Sequence, residues 1–144
     1  MILGIDASNI QAGGGVTHLQ KILEYGEPEK HNISQVKVWG GRNPLDQFPQ
    51  KSWLGLIDIP ELNKPLYRRL LWQQIELVKL AQKDSQLLFV PGGLYMGSFR
   101  PYVTMFQNMQ IFETKELNRE RNKEWLRLKL LQLAQRDTFQ KASG

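Results

Sequence analysis

Met1-Ile2-Leu3-Gly4-Ile5-Asp6-Ala7-Ser8-Asn9, then Ile10-Gln11-Ala12 and Gly13-Gly14-Gly15-Val16, is the stretch that decides how this chain folds. An apolar opening run leads into a glycine-rich turn and then into Val16 to Tyr25, where Val16, Leu19, Ile22 and Leu23 recur at helical spacing. Strand, turn and helix start in that order are how an α/β sheet presents bare backbone amides to an anionic ligand. Glycine has no Cβ, so the turn can pass through positive φ and let a phosphate or sugar approach the main chain. Gly13, Gly14 and Gly15 are therefore the first candidate binding residues, with a plain tight βα turn as the alternative reading. Their spacing is not a dinucleotide fingerprint, and no Gly-Lys-Ser/Thr follows as a P-loop requires.

Working outward, short apolar runs alternate with longer amphipathic stretches. Gln35 to Trp39, with Val36 and Val38 alternating, reads as a second strand, and Gly40-Gly41-Arg42-Asn43-Pro44 as a turn. Trp53 to Ile59 stops at Pro60 and reads as a third strand. Pro65 to about Lys83 is predicted helical, because Tyr67, Leu70, Leu71, Ile75, Val78 and Ala81 recur at three and four residues and Pro65 suits a first helical turn. Leu87 to Val90 and Tyr102 to Phe106 read as further strands, and Lys115 to Gln135 as one long helix. Strands separated by helices predict a doubly wound, mostly parallel, Rossmann-like α/β sheet in a single domain spanning 1–144. Ligands gather at the carboxyl ends of such strands, which selects Ser8 to Gly15, Gly40 to Pro44, Pro91 to Gly97 and Gln107 to Glu113.

Composition narrows the chemistry. The 144 residues contain no cysteine, which excludes thiol nucleophiles, cysteine zinc sites and disulfides and fits a reducing cytoplasm. His18 and His31 do not match a common metal-ligand spacing and read as capping or packing residues, so no metal and no cofactor are expected. A net charge of +5 and a pI near 9.6 point to an anionic partner. No apolar run approaches the roughly 20 residues needed to span a bilayer, so a cytoplasmic protein is expected, soluble or peripheral on the inner face of the membrane.

Four constellations are candidates for binding. Asp6, Ser8 and Asn9 follow the first strand, where they can meet sugar hydroxyls or satisfy the amides of their own turn. Gly92, Gly93 and Tyr95 follow the fourth strand, where an exposed tyrosine would offer a stacking face and a hydroxyl, a tight turn being the other reading. Gln107 and Asn108 end the fifth strand with two neutral amides, which position or polarise a substrate rather than abstract its proton. Lys115, Arg119, Arg121, Lys123, Arg127, Lys129 and Arg136 make 115–136 basic. Its main reading is a core helix with a solvated basic face, and an anionic membrane surface is the alternative partner. Nucleic acid is not expected, because no recognised module accompanies the charge.

Ile5-Asp6-Ala7-Ser8-Asn9 with Ala12-Gly13-Gly14-Gly15-Val16, Val36-Lys37-Val38-Trp39-Gly40-Gly41, Leu88-Phe89-Val90-Pro91-Gly92-Gly93 and the strand ending Gln107-Asn108-Met109 occur in an order that resembles the N-terminal half of a family 4 glycosyltransferase of the GT-B type. The similarity is to bacterial members acting in polysaccharide or lipid-linked saccharide assembly. It implies an acceptor-side domain facing a second domain that grips the nucleotide sugar and supplies a glutamate pair. It implies further that Gly14 and Gly15 approach the donor diphosphate or the acceptor, and that the partners are a nucleotide-sugar donor and a saccharide acceptor. Gln107 stands where many members have histidine, so no catalytic residue carries over. The chain is expected to be a truncated or excised piece lacking the donor-binding domain, inactive alone and prone to self-association. A stand-alone binding module for a saccharide or phosphorylated ligand is the alternative, and a P-loop or serine hydrolase is disfavoured because neither motif is present.

Overall fold

The computed structural model describes residues 1–105 and 123–143. Five strands, β1 (Ile2–Asp6), β2 (Gln35–Gly40), β3 (Leu54–Asp58), β4 (Leu87–Val90) and β5 (Tyr102–Thr104), form one parallel sheet in the order β3-β2-β1-β4-β5. Four helices accompany them among the described residues: α1 (Gly14–Tyr25), α2 (Arg42–Leu45), α3 (Leu66–Asp84) and α4 (Lys123–Lys141). The fold is the Rossmann-like, parallel α/β class that the alternation of strands and helices predicts.

β1 is apolar because it lies at the centre, with Ile5 paired to Val38 on one side and to Phe89 on the other. Side chains of successive strand residues point to opposite faces, so two cores form. Ile5, Val36 and Val38 meet Val16, Leu19 and Leu23 of α1 on one face. Trp39, Leu88, Val90 and Tyr102 meet Trp72, Leu77, Val78 and Ala81 of α3 on the other. Gly4 makes room for the fully buried Trp39, since a Cβ there would lie 2.5 Å from the indole Cζ3.

Three boundaries differ from the sequence expectation. Of Gly40 to Pro44, predicted as a turn, Gly40 ends β2 and Arg42 to Pro44 enter the single helical turn α2, in which Pro44 and Leu45 are buried. Pro65 caps α3 from outside rather than entering its first turn. Tyr67, Leu71 and Ile75, part of the apolar periodicity that predicts α3, are exposed, and the buried register runs through Trp72, Gln73, Leu77 and Ala81 instead. The described part of the last helix continues past the expected end at Gln135 because Thr138 anchors it. Thr138 Oγ1 accepts the Tyr95 N–H at 3.1 Å and its carbonyl accepts the Tyr102 hydroxyl, while the Ser143 N–H reaches the Tyr102 carbonyl at 2.8 Å. Phe106 and 115–122, the remainder of the two last predicted elements, lie outside the described residues.

Candidate functional site

The strand order reverses direction at β1 and β4, which are neighbours although far apart in sequence. Connections leaving their carboxyl ends diverge to opposite faces, and the crevice between them is where parallel sheets take ligands. Two of the sequence-selected loops, Ser8 to Gly15 and Pro91 to Gly97, meet there. The Asn9 side chain donates to the Leu94 carbonyl at 3.1 Å, and Gly92 sits so close that a Cβ would lie 2.9 Å from Asn9 Cβ.

Gln73, reaching up from α3, ties the two loops together. Its amide nitrogen donates to the Asp6 carboxylate and, at 3.1 Å, to the Leu94 carbonyl, with Ser8 Oγ at 3.3 Å, and its carbonyl oxygen accepts the Met96 N–H at 2.9 Å. Asp6 Oδ1 accepts the Ser8 N–H at 2.9 Å, which bends the chain away from β1. Burial pushes the Asp6 carboxyl above its ordinary range, and the hydrogen bonds from Ser8 and Gln73 oppose that rise. Arg69, one helical turn before Gln73, donates from Nη1 to the Ser8 carbonyl at 2.9 Å. Its buried Nε has no partner among the described residues, so a cation with an unused donor lies beside the first loop.

The glycine triplet opens this loop toward solvent. Gly13 has φ 70° and ψ −147°, a region that L side chains do not tolerate, so the turn requires glycine. α1 then begins at Gly14 with no side-chain cap and no acidic residue in its first turn. Gly13 and Gly14 are exposed, Gly15 is partly so, and no hydrogen bond from the Gly14 or Gly15 amide is made among the described residues. These donors, the helix dipole and the nearby guanidinium favour a negatively charged group.

Asn9, Gly92 and Gly93 therefore lie together with Gly13 to Gly15 at one end of the sheet, but Tyr95 does not serve as predicted. Tyr95 is only 4% exposed: its ring packs against Tyr102 at a centroid distance of 4.7 Å and its hydroxyl accepts the Phe99 N–H at 3.1 Å. The loop returns to β5 across the α3 face, and that path carries the ring into the core instead of into the crevice. Gln107 and Asn108 lie outside the described residues. His18 and His31, read as packing or capping residues, are both exposed. Gln73 and Arg69 are absent from the sequence-selected set. The available signal was a glutamine in the buried register of α3, four residues before Leu77 and eight before Ala81.

Burial holds the Tyr95 phenol up at about 12 and also raises that of Tyr102. The folded chain keeps these protons where the unfolded chain gives them up, so stability falls as pH rises above the ordinary phenol value of 10.0. At about 1.4 kcal/mol per pH unit, Tyr95 alone accounts for a loss of about 1 kcal/mol between about pH 10 and pH 11. Urea unfolding across that interval should show the decline, with a shallower slope in Tyr95→Phe. An identical slope in the variant would remove Tyr95 as its source.

The chain matches no protein-family model, no curated protein and no solved structure.

Proposed function

We propose that this chain is the acceptor-side domain of a glycosyltransferase that moves a sugar from a nucleotide donor to a saccharide or lipid-linked acceptor. The observation that carries the reading is the junction at the switch point, where Gly92 and Asn9 bring the second glycine loop against the first, the Gly14 and Gly15 amides stay open, and Arg69 reaches the start of the first loop at the Ser8 carbonyl. The sequence resemblance supports the reading, since it implies that the turn at Gly14 and Gly15 approaches the donor diphosphate or the acceptor. In that role the amides and Arg69 offset the charge of a diphosphate or of a phosphorylated acceptor, and charge stabilisation is what breaking a bond to a diphosphate requires. Asp6 and Gln73 shape the loops from beneath and do not touch a substrate.

Gly14 permits a clean test, since a Cβ there meets nothing within 4 Å among the described residues and φ is unstrained. Titration of the isotope-labelled chain with inorganic pyrophosphate and with uridine and guanosine diphosphate sugars should move the amide resonances of Gly13, Gly14 and Gly15. Gly14→Val should weaken that binding by about tenfold or more, the loss of about 1.4 kcal/mol expected when a charge-assisted hydrogen bond is blocked. Saturable shifts elsewhere with the triplet unmoved would sink the assignment. The 144-residue chain is expected to transfer no sugar by itself, and turnover with any nucleotide sugar would overturn its reading as one half of an active site.

A further inference from the structure

The first half of α3 carries an apolar stripe that the fold leaves uncovered. Leu66, Tyr67, Leu71 and Ile75 are 46% to 66% exposed, and the last three follow one another at four-residue steps, one above the other on the helix. Single exposed apolar residues are ordinary in proteins, whereas a continuous stripe of this kind marks a contact surface. The last helix repeats the arrangement. Leu126, Leu130 and Leu133 are each more than half exposed at spacings of four and three, while Gln135 and Thr138 hold the opposite side of α4 against the protein.

Both helices pack on the same face of the sheet. α3 covers it through Trp72, Leu77, Val78 and Ala81, and α4 is tied to Tyr95 and Tyr102 of the same core. α3 leads from β3 back to the start of β4, and the end of α4 reaches the amino edge of the sheet, where Ser143 meets the start of β5. Their stripes therefore look outward from one layer. A partner that touches both must be broad and flat.

Charge decides what that partner is. Around the stripe stand Lys64, Arg68 and Arg69, flanked by Glu61 and by Glu76, the latter paired with Lys79 at 3.0 Å. Lys64 and Arg68 are exposed and form no ion pair among the described residues, and Arg68 lies over the Tyr67 ring at 5.9 Å. A second copy of this face would bring like charges together. An anionic bilayer accommodates both features at once, taking leucine and tyrosine side chains into the acyl boundary and holding lysine and arginine at the headgroups. We propose that the outer face of the α3 and α4 layer docks on an anionic lipid surface, with Tyr67, Leu71 and Ile75 inserted and Lys64 and Arg68 at the phosphates. The sequence alone directs attention to 115–136 for this contact, and the structure adds the exposed stripe of α3 with Lys64 and Arg68 beside it. The proposal does not depend on the transferase reading, because binding to lipid is measured without donor or acceptor.

Co-sedimentation of the full 144-residue chain with phosphatidylcholine vesicles, with and without about one third phosphatidylglycerol, tests it. Binding to the anionic vesicles is expected, with little binding to the zwitterionic ones and a marked loss in about 1 M salt. Leu71→Ser combined with Tyr67→Ser should lower the vesicle affinity by about tenfold or more, and Lys64→Glu or Arg68→Glu by about fivefold each. All four positions are exposed, and an unchanged near-ultraviolet spectrum shows that the variants fold. Absence of binding to anionic vesicles overturns the proposal, as does binding that the α3 substitutions leave intact. A concentration-dependent dimer that Leu71→Ser abolishes would assign the face to self-association and overturn it equally.

Discussion

Gln73→Leu is expected to unfold this protein at a temperature lower by about 10 °C or more, the largest effect of any single change at the candidate site. The volume is nearly conserved, so the cost is not a cavity. Three hydrogen bonds are lost together: among the described residues the Asp6 carboxylate keeps only Ser8, the Leu94 carbonyl keeps only Asn9, and the Met96 N–H is left with no partner. A donor left unsatisfied costs about 1–3 kcal/mol and each further lost bond about 1 kcal/mol, so the sum is on the order of 4 kcal/mol. The deficit should shrink in acid. Asp6 already favours its neutral form because it is buried, and removing the amide that opposes this raises its carboxyl further. An acid whose folded value is raised costs stability as pH rises above its ordinary value of 3.8, so the variant falls behind most at neutral pH and least near pH 4. Urea midpoints at both pH values decide the matter, and a deficit independent of pH would show that Asp6 does not depend on Gln73.

Gly4→Val should come next, at on the order of 3 kcal/mol. Overpacking a core usually costs about 1–3 kcal/mol, and here the obstacle is rigid. A Cβ at Gly4 would meet the Trp39 ring at 2.5 Å and 2.9 Å and Ser85 Oγ at 3.1 Å, within a strand paired on both sides. Trp39→Leu alone leaves a cavity in the second core and costs about 3 kcal/mol. Combined, the two changes should be less damaging than their sum by at least about 1 kcal/mol, because the smaller side chain vacates the space that valine enters. Strict additivity in thermal or urea unfolding would show that the indole is not what selects glycine at this position.

The same contact shows which parts of the fold were legible in the sequence. Period-two alternation in Val36 to Trp39 and the apolar run of Leu87 to Val90 reflect strands buried on both faces, so the strands and their parallel class could be read directly. Helix existence was equally legible, but the phase of α3 was not. Tyr67, Leu71 and Ile75 satisfy the helical period as well as Gln73, Leu77 and Ala81 do, and only contact with the sheet selects the second register. Tyr95 illustrates a second limit. A tyrosine after two glycines at a strand end suits a binding loop, yet the connection from β4 to the parallel strand β5 must cross a sheet face, and that crossing buries the ring against Tyr102.

By itself the sequence determined the α/β class and the position of the glycine turns at strand ends, because these follow from local periodicity and backbone sterics. The tertiary structure alone decided that Asn9 and Gly92 touch, that Gln73 joins Asp6 to Leu94 and Met96, and that the apolar flank of α3 faces outward. Those outcomes depend on strand order. Placing β4 beside β1 brings residues more than 80 positions apart into hydrogen-bond range, the separation of Asn9 and Leu94 being 85. No local pattern encodes such a pairing, which comes from burying two apolar faces of one sheet at once.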